Sequence, residues 1–330
     1  MRIGAILSDY DGTLCPTASL KSQDNKKSNS RIPTELEKIL WDISEKIDVC
    51  IVSSKDFGFL HSRIKFAKIA SCVMGIETLV HKAHKMEPKI GENGDDGKGD
   101  NDNNNDNNNT TTSILNLAEG HDDKLQCLLS TNLLSNKKIL QHNSLLLDNL
   151  ANEISLNFKD ITIEKKFISY NKILAGVTID YRHLKDWQSY KRETEPSLKE
   201  MIERKIHSSS TCQSAQQVPY VQTYSSHPFI DAYSVRCDKG LAFDTTISEL
   251  ESLNNNKVQN MNILYLGDSE NDNPAFKRAD ISIGVRSDKR LNPKLTCQYL
   301  VEFNQLSIFL KRLKDNDFVF SDELLLNLQS

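Results

Sequence analysis

The amino-acid sequence predicts an α/β fold, a doubly wound and mostly parallel sheet into which a smaller α+β module is inserted. Three observations carry this. Short apolar runs at Ile3–Leu7, Ile47–Val52, Ile69–Met74, Asn262–Leu266 and Ile281–Val285 have the length and continuity of buried strands. Segments of helical periodicity separate them, and strand–helix–strand order at this spacing implies parallel pairing with right-handed crossovers. Between Val80 and Lys239 the pattern changes to alternating strands around longer helices, as expected of a second unit placed inside the first.

The elements follow in order. Pro33 stands where a helix can begin, and Ile32, Leu36, Ile39, Leu40 and Ile43 recur at helical spacing. Phe57, Leu60, Ile64 and Ala67 predict a second helix with one apolar face. In the inserted part, leucines over 133–158 predict an amphipathic helix, and Ile161–Lys165 and Ile173–Tyr181 predict strands. A charged helix is expected over Lys185–Ile206, then strands at Tyr220–Tyr224 and Phe229–Val235. Beyond Lys239, Leu241–Leu253 reads as a helix, Pro274–Arg278 opens another, Ile281–Val285 is the last clear strand, and Gln305–Leu313 is an amphipathic helix. The resulting division is a core over 1–81 and 235–330, interrupted by a cap over 82–234.

Within that insertion, residues 91–113 hold almost no apolar side chain and cannot offset their ordering entropy, so disorder is expected there. Asp100, Asp102 and Asn104 imitate the start of a Ca²⁺ loop, but Asn105 stands where glycine is needed and Thr111 where glutamate is needed, which favours a solvated linker.

Composition narrows the function classes. A chain of 330 residues suggests about two domains, and 38% hydrophobic with 26% charged residues is ordinary for a soluble protein. A formal net charge of -4 argues against nucleic acid as a partner. No run approaches the ~20 apolar residues that span a bilayer, so no membrane partner is expected. The cysteines, seven in number and without a C-x-x-C pair, favour reduced thiols and a cytoplasmic location.

The chemistry is expected where the strands end, because an open α/β sheet binds ligands outside the carboxyl ends of its strands. The first strand runs into Asp9 and Asp11, followed by Gly12 and Thr13. Two adjacent acids repel unless a cation or a shared proton neutralises them. They read either as a Mg²⁺-assisted nucleophile with a general acid or as an acidic turn, since Asp-Gly is a common turn dipeptide. Ser53 follows the second strand, Lys239 the inserted module, and Asp268 with Asp272 the strand at 262–266. Phosphoryl transfer needs such parts: an in-line nucleophile, a metal, positive charge on the phosphoryl oxygens and a proton donor.

These clusters, taken together, resemble the motifs of the haloacid dehalogenase superfamily of phosphatases. Asp9-Tyr10-Asp11-Gly12-Thr13 matches D-x-D-G-T, Ser53 the strand-terminal Ser or Thr, Lys239 the lone lysine, and Gly267-Asp268 through Asp272 the motif G-D-x-x-x-D. The resemblance covers residues 1–80 and 235–330 and implies a Rossmann-like core. It implies that Asp9 is the nucleophile, that Asp11 is general acid and base, and that Ser53 and Lys239 hold the phosphoryl oxygens. It implies Mg²⁺ held by the Asp9 and Asp268 carboxylates and the Asp11 backbone carbonyl, with Asp272 in or near that shell.

An insertion between the second and third motifs resembles the cap of the branch containing trehalose-6-phosphate, sucrose-phosphate and mannosyl-3-phosphoglycerate phosphatases. Ala175 to Arg182 resembles a cap strand of the first of these. The implied partner is a small phosphorylated sugar, with trehalose 6-phosphate as one candidate and Arg182 as a candidate substrate contact. The fourth motif departs from the usual trehalose phosphatase pattern, closer to G-D-D-x-T-D-E, and leaves the substrate open. The alternatives are a phosphomannomutase-like phosphotransferase and a non-catalytic ligand-binding protein of the same fold. His81 and His84 lack a nearby third ligand and read as surface residues, and Trp187 as a helix anchor.

Overall fold

The computed structural model describes residues 1–16, 31–81, 114–115, 125–129, 137–169, 172–209, 218–254, 261–287 and 292–328. The segment 91–113 and His84 lie outside the described residues.

Near-continuous apolar sequence makes the central strands. β1 (Ile3–Ser8) pairs in parallel with β2 (Asp48–Val52) on one side and with β11 (Asn262–Gly267) on the other. β3 (Ile69–Cys72) extends the sheet beyond β2, and β12 (Ile281–Arg286) and β13 (Tyr299–Glu302) extend it beyond β11, all in parallel. β4 (Glu77–His81), β6 (Leu125–Leu129) and β5 (Ile114–Leu115) continue it antiparallel, giving the order β13-β12-β11-β1-β2-β3-β4-β6-β5. Two strands of this sheet therefore come from within 82–234.

Side chains alternate between the two faces with period two. Ile6, Val49, Ile51, Leu264 and Leu266 pack with α1 (Thr34–Ser44) and α8 (Leu306–Asp315). Ala5, Leu7, Cys50, Val52, Ile263 and Tyr265 pack with α6 (Lys239–Leu253) and α7 (Asn273–Phe276). From β1 the chain winds toward β3, and from β11 it winds the other way toward β13. The reversal lies between β1 and β11, which opens a crevice at their carboxyl ends.

A second, antiparallel sheet, ordered β7-β8-β10-β9, consists of β7 (Thr162–Phe167), β8 (Leu174–Asp180), β9 (Tyr220–Thr223) and β10 (Phe229–Tyr233). One face buries Val177, Ile179, Ile230 and Ala232 against α3 (Lys137–Asn157) and α5 (Glu195–Ser209). The other face is polar. In register across it lie Glu164, Thr178, Asp231 and Gln222.

Four details differ from the sequence expectation. α2 (Phe57–Leu60) is one turn rather than a helix to Ala67. Tighter bonds, Arg63 N to Leu60 O and Ala67 N to Ile64 O (both 2.8 Å), still bury Leu60, Ile64 and Ala67, so the spacing reported burial and not a continuous helix. The charged helix divides into α4 (Trp187–Glu193) and α5, because Pro196 has no N–H for the Arg192 carbonyl and its ring crowds that carbonyl, while it fits the first turn of α5. β13 lies beyond the strand expected to be last, and only its Val301 is buried. β4 was not expected, since it begins with a buried glutamate whose carboxylate accepts from Ser169 N (2.9 Å) and Oγ (3.1 Å).

Candidate active site

β1 is extended one residue past its last pair by Asp9 N donating to Leu266 O (2.9 Å), which fixes Asp9 at the crevice. The chain then turns tightly, with Gly12 N donating to Cys15 O (2.7 Å). Gly12 has φ +83, and a Cβ there would stand 1.9 Å from Asp268 Oδ2. Only glycine permits both the backbone conformation and the close approach of Asp268. Thr13 Oγ1 donates to the other oxygen, Asp268 Oδ1 (3.3 Å).

Lys239 begins α6 behind the capping residue Asp238, whose carboxylate accepts from Gly240 N and Leu241 N. Its ammonium is fully buried and bridges Asp9 Oδ2 (2.8 Å) and Asp272 Oδ1 (2.6 Å). Tyr265 OH donates to the same Asp272 oxygen (2.7 Å), while Asp272 Oδ2 accepts from the backbone N–H groups of Asp268 (3.1 Å) and Ser269 (3.0 Å) and from Ser269 Oγ (3.2 Å). Carboxylate oxygens of Asp9, Asp268 and Asp272 lie within 4.8 Å of one another. Burial raises the Asp9 carboxyl to about 6 against the opposing pull of Lys239. Burial, then Asp9 and Asp272, push Asp268 well above the carboxylate range. Burial would lower Lys239, but Asp272 and Asp9 outweigh it and hold the amine charged.

Asp11 faces elsewhere. Its Oδ2 is 3.2 Å from the Lys55 ammonium, which also holds Glu164 of the second sheet at 2.7 and 2.8 Å. Burial would lower Lys55, yet Asp11 and Glu164 more than offset it. Burial would likewise raise Glu164, but Lys55 keeps it below the ordinary range. Ser53 is buried at the end of β2, beside β1, and its hydroxyl accepts from Lys55 N (3.2 Å).

Asp9, Lys239, Asp268 and Asp272 thus form one bonded cluster, with Asp11 and Ser53 at the same sheet edge. Arg182 lies on the Asp11 side, at the end of β8: it bonds Asp180 Oδ2 (2.6 and 2.8 Å), and although burial would lower it, Asp180, Asp11 and Glu164 hold it charged. Sequence reasoning missed Lys55, Glu164, Tyr265 and Thr13. The spacing Ser53-Ser54-Lys55 at a strand end was a usable signal for Lys55, and Thr13 sat inside the first motif.

Five carboxyl groups (Asp9, Asp11, Glu164, Asp268, Asp272) face two ammonium groups (Lys55, Lys239) at this edge, and a bound cation would relieve the burial and repulsion that raise Asp268. All donors are oxygen, as a hard divalent cation such as Mg²⁺ prefers. Asp272 belongs to this oxygen set, and both of its oxygens also accept from protein donors, among them Lys239 and the 268–269 backbone.

No protein-family model matches the sequence, and no curated protein does. Solved structures do match. A trehalose-6-phosphate phosphatase related protein superposes with TM-score 0.51 at 15% identity, covering 94% of this chain and 97% of its own. The C-terminal domain of C. albicans trehalose-6-phosphate phosphatase superposes with TM-score 0.54 at 14% identity, covering 94% and 92%. This chain shares the fold of these two structures. The nine-stranded sheet is the Rossmann-like core expected from the sequence, and the four-stranded sheet the expected α+β unit.

Proposed function

We propose that this protein is a Mg²⁺-dependent phosphatase that hydrolyses a phosphorylated sugar. One observation carries the reading: a fully buried ammonium, Lys239, shared between Asp9 and Asp272, with Asp268 beside them and a second carboxylate, Asp11, held apart by Lys55. This separates a nucleophile from an acid at one sheet edge.

In the first step Asp9 attacks phosphorus, forming an aspartyl phosphate as the ester P–O bond breaks, and Asp11 protonates the leaving oxygen. In the second step Asp11 takes a proton from the water that attacks the same phosphorus, releasing inorganic phosphate and regenerating Asp9. Lys239 and Ser53 hold phosphoryl oxygens. Asp9, Asp268 and the Asp11 carbonyl would hold Mg²⁺, which when bound offsets the negative charge of carboxylates and phosphate. Lys55 keeps the Asp11 carboxylate turned toward the cap.

A sugar is the favoured substrate class because the cap face that meets Asp11 is polar: Glu164 reaches it through Lys55, and behind Glu164 the buried Asp231 is held by Thr178, Lys166 and Tyr224. Among the described residues the buried Gln222 Oε1 has no donor, which suits a substrate hydroxyl. Trehalose 6-phosphate is a candidate within this class, and Arg182 a candidate contact on the Asp11 side.

The test is phosphate release with Mg²⁺ from a panel of sugar phosphates. Asp9→Asn should lower the best activity by about 10³-fold or more. Equal release by wild type and variant would sink the proposal.

A further inference from the structure

The cap touches the core at both ends. Near its base, Ser169 binds Glu77 and Phe167 N donates to Asp56 Oδ2 (3.1 Å). Ser234 follows β10 where the chain returns to the core, and its carbonyl accepts from Asn143 Nδ2 (2.7 Å). From there β10 leads outward over five residues, roughly 13 Å at about 3.3 Å per residue, to the turn that joins it to β9. At this far end Glu270 of the core takes the turn. Its carboxylate accepts from Ser225 N (2.6 Å), Ser225 Oγ (2.5 Å) and Ser226 Oγ (2.7 Å). Glu270 lies two residues from both Asp268 and Asp272, yet it makes none of the bonds that fix those carboxylates. Burial would raise it, but the serine bonds keep it below the ordinary carboxylate range.

Bonds at the free end of a lever resist its opening most. We propose that Glu270 is the receptor that holds the free end of the cap over the strand-end carboxylates, and is thereby a specificity-determining residue. Substrates recognised by cap side chains require it, whereas a phosphate ester too small or too flat to use them does not. The kinetic part of this rests on the phosphatase reading above, and the conformational part stands without it.

Two full-chain variants, Glu270→Ala and the pair Ser225→Ala with Ser226→Ala, test it from the two sides of the bond. Amide hydrogen exchange at 225–227 should become about tenfold faster in both, as expected for loss of charge-assisted hydrogen bonds, with β1 and β11 as protected as before. Unchanged exchange at the turn, or loss of protection spreading into β1, would overturn the proposal. So would an effect of Glu270→Ala that the serine pair fails to reproduce. In turnover, both variants should lose about tenfold in kcat/KM on the best sugar phosphate and much less on p-nitrophenyl phosphate. Equal loss on both would show that the 268–272 loop itself was disturbed, against the proposal. Should wild type release phosphate from no ester, the phosphatase reading falls and the exchange result alone decides.

Discussion

Two lysines divide the molecule's chemistry between its core and its cap. Lys239 is fully buried, springs from the first turn of a helix and is fixed by two carboxylates of the same sheet edge. Lys55 keeps 12% of its side chain exposed and joins one core carboxylate, Asp11, to one cap carboxylate, Glu164. The first arrangement lies out of reach of bulk water. The second joins parts that must separate if substrate is to enter. A rigid nucleophile site and a separable acid site are thus built from the same kind of ion pair at different depths.

The sharpest way to break this comparison is to remove each charge at nearly constant shape. Lys239→Met leaves Asp9 and Asp272 buried without their cation and should cost about 3–5 kcal/mol of unfolding free energy. Lys55→Met leaves partners that water can reach and should cost about 1 kcal/mol or less. Urea denaturation in Mg²⁺-free buffer measures both. Similar costs for the two would mean that the depth of the pair does not separate them.

The same contrast explains what the sequence could disclose. Asp9, Ser53 and Asp268 end apolar strands, and the carboxyl end of a buried parallel strand is recognisable from local sequence alone. Lys239 was legible as the third motif, and its capping Asp238 marks the helix start. The Lys55–Glu164 bond joins residues 109 apart across two sheets, and nothing local in Ile163-Glu164-Lys165 distinguishes a roof residue from a solvated one. β4 escaped for a related reason: Glu77 and Thr78 are polar yet buried, Glu77 satisfied by Ser169 of the cap and Thr78 in contact with Ser71 of the neighbouring strand. Periodicity likewise identified the buried residues after Phe57 but not their tighter turns, because burial and helix share a spacing. Apolar strands advertise themselves, whereas polar residues satisfied at long range do not.

Gly12 sharpens the comparison on the rigid side. Gly12→Ala places a Cβ on Asp268 Oδ2 and forces an alanine to φ +83. Backbone strain of this kind costs about 1–3 kcal/mol, and displacing Asp268 should lower turnover by about 100-fold. Gly58→Ala is the matched comparison, since its Cβ meets only Asp56 Oδ1 at 3.5 Å within a helical turn. It should be neutral or slightly stabilising. Thermal melts and phosphate release on the two variants check this, and equal tolerance at both glycines would remove the argument that the strand-end turn is fixed by close approach.

The smallest effect is expected on the cap side, at His227. Its ring lies buried near Tyr224 and Phe229, its Nδ1 is 3.3 Å from Ser226 Oγ, and its carbonyl accepts from Lys191 Nζ (2.9 Å). Burial lowers its pKa to about 4, against the opposite influence of Glu270 and Asp272. An imidazole that titrates near 6.5 when unfolded and near 4 when folded is neutral in the native state while the unfolded chain takes up a proton. The stability it contributes is present above about pH 6.5 and is lost as pH falls toward 4, amounting to about 1 kcal/mol by pH 5.5. Asp9, raised to about 6, works in the opposite sense, since the native state then binds the extra proton. The decisive quantity is therefore the difference between wild type and His227→Gln. Chemical denaturation at pH 8 and pH 5.5 should show wild type losing about 1 kcal/mol more than the variant over that interval. Parallel pH dependence of the two would place the His227 charge in water and deny that the cap turn seals it.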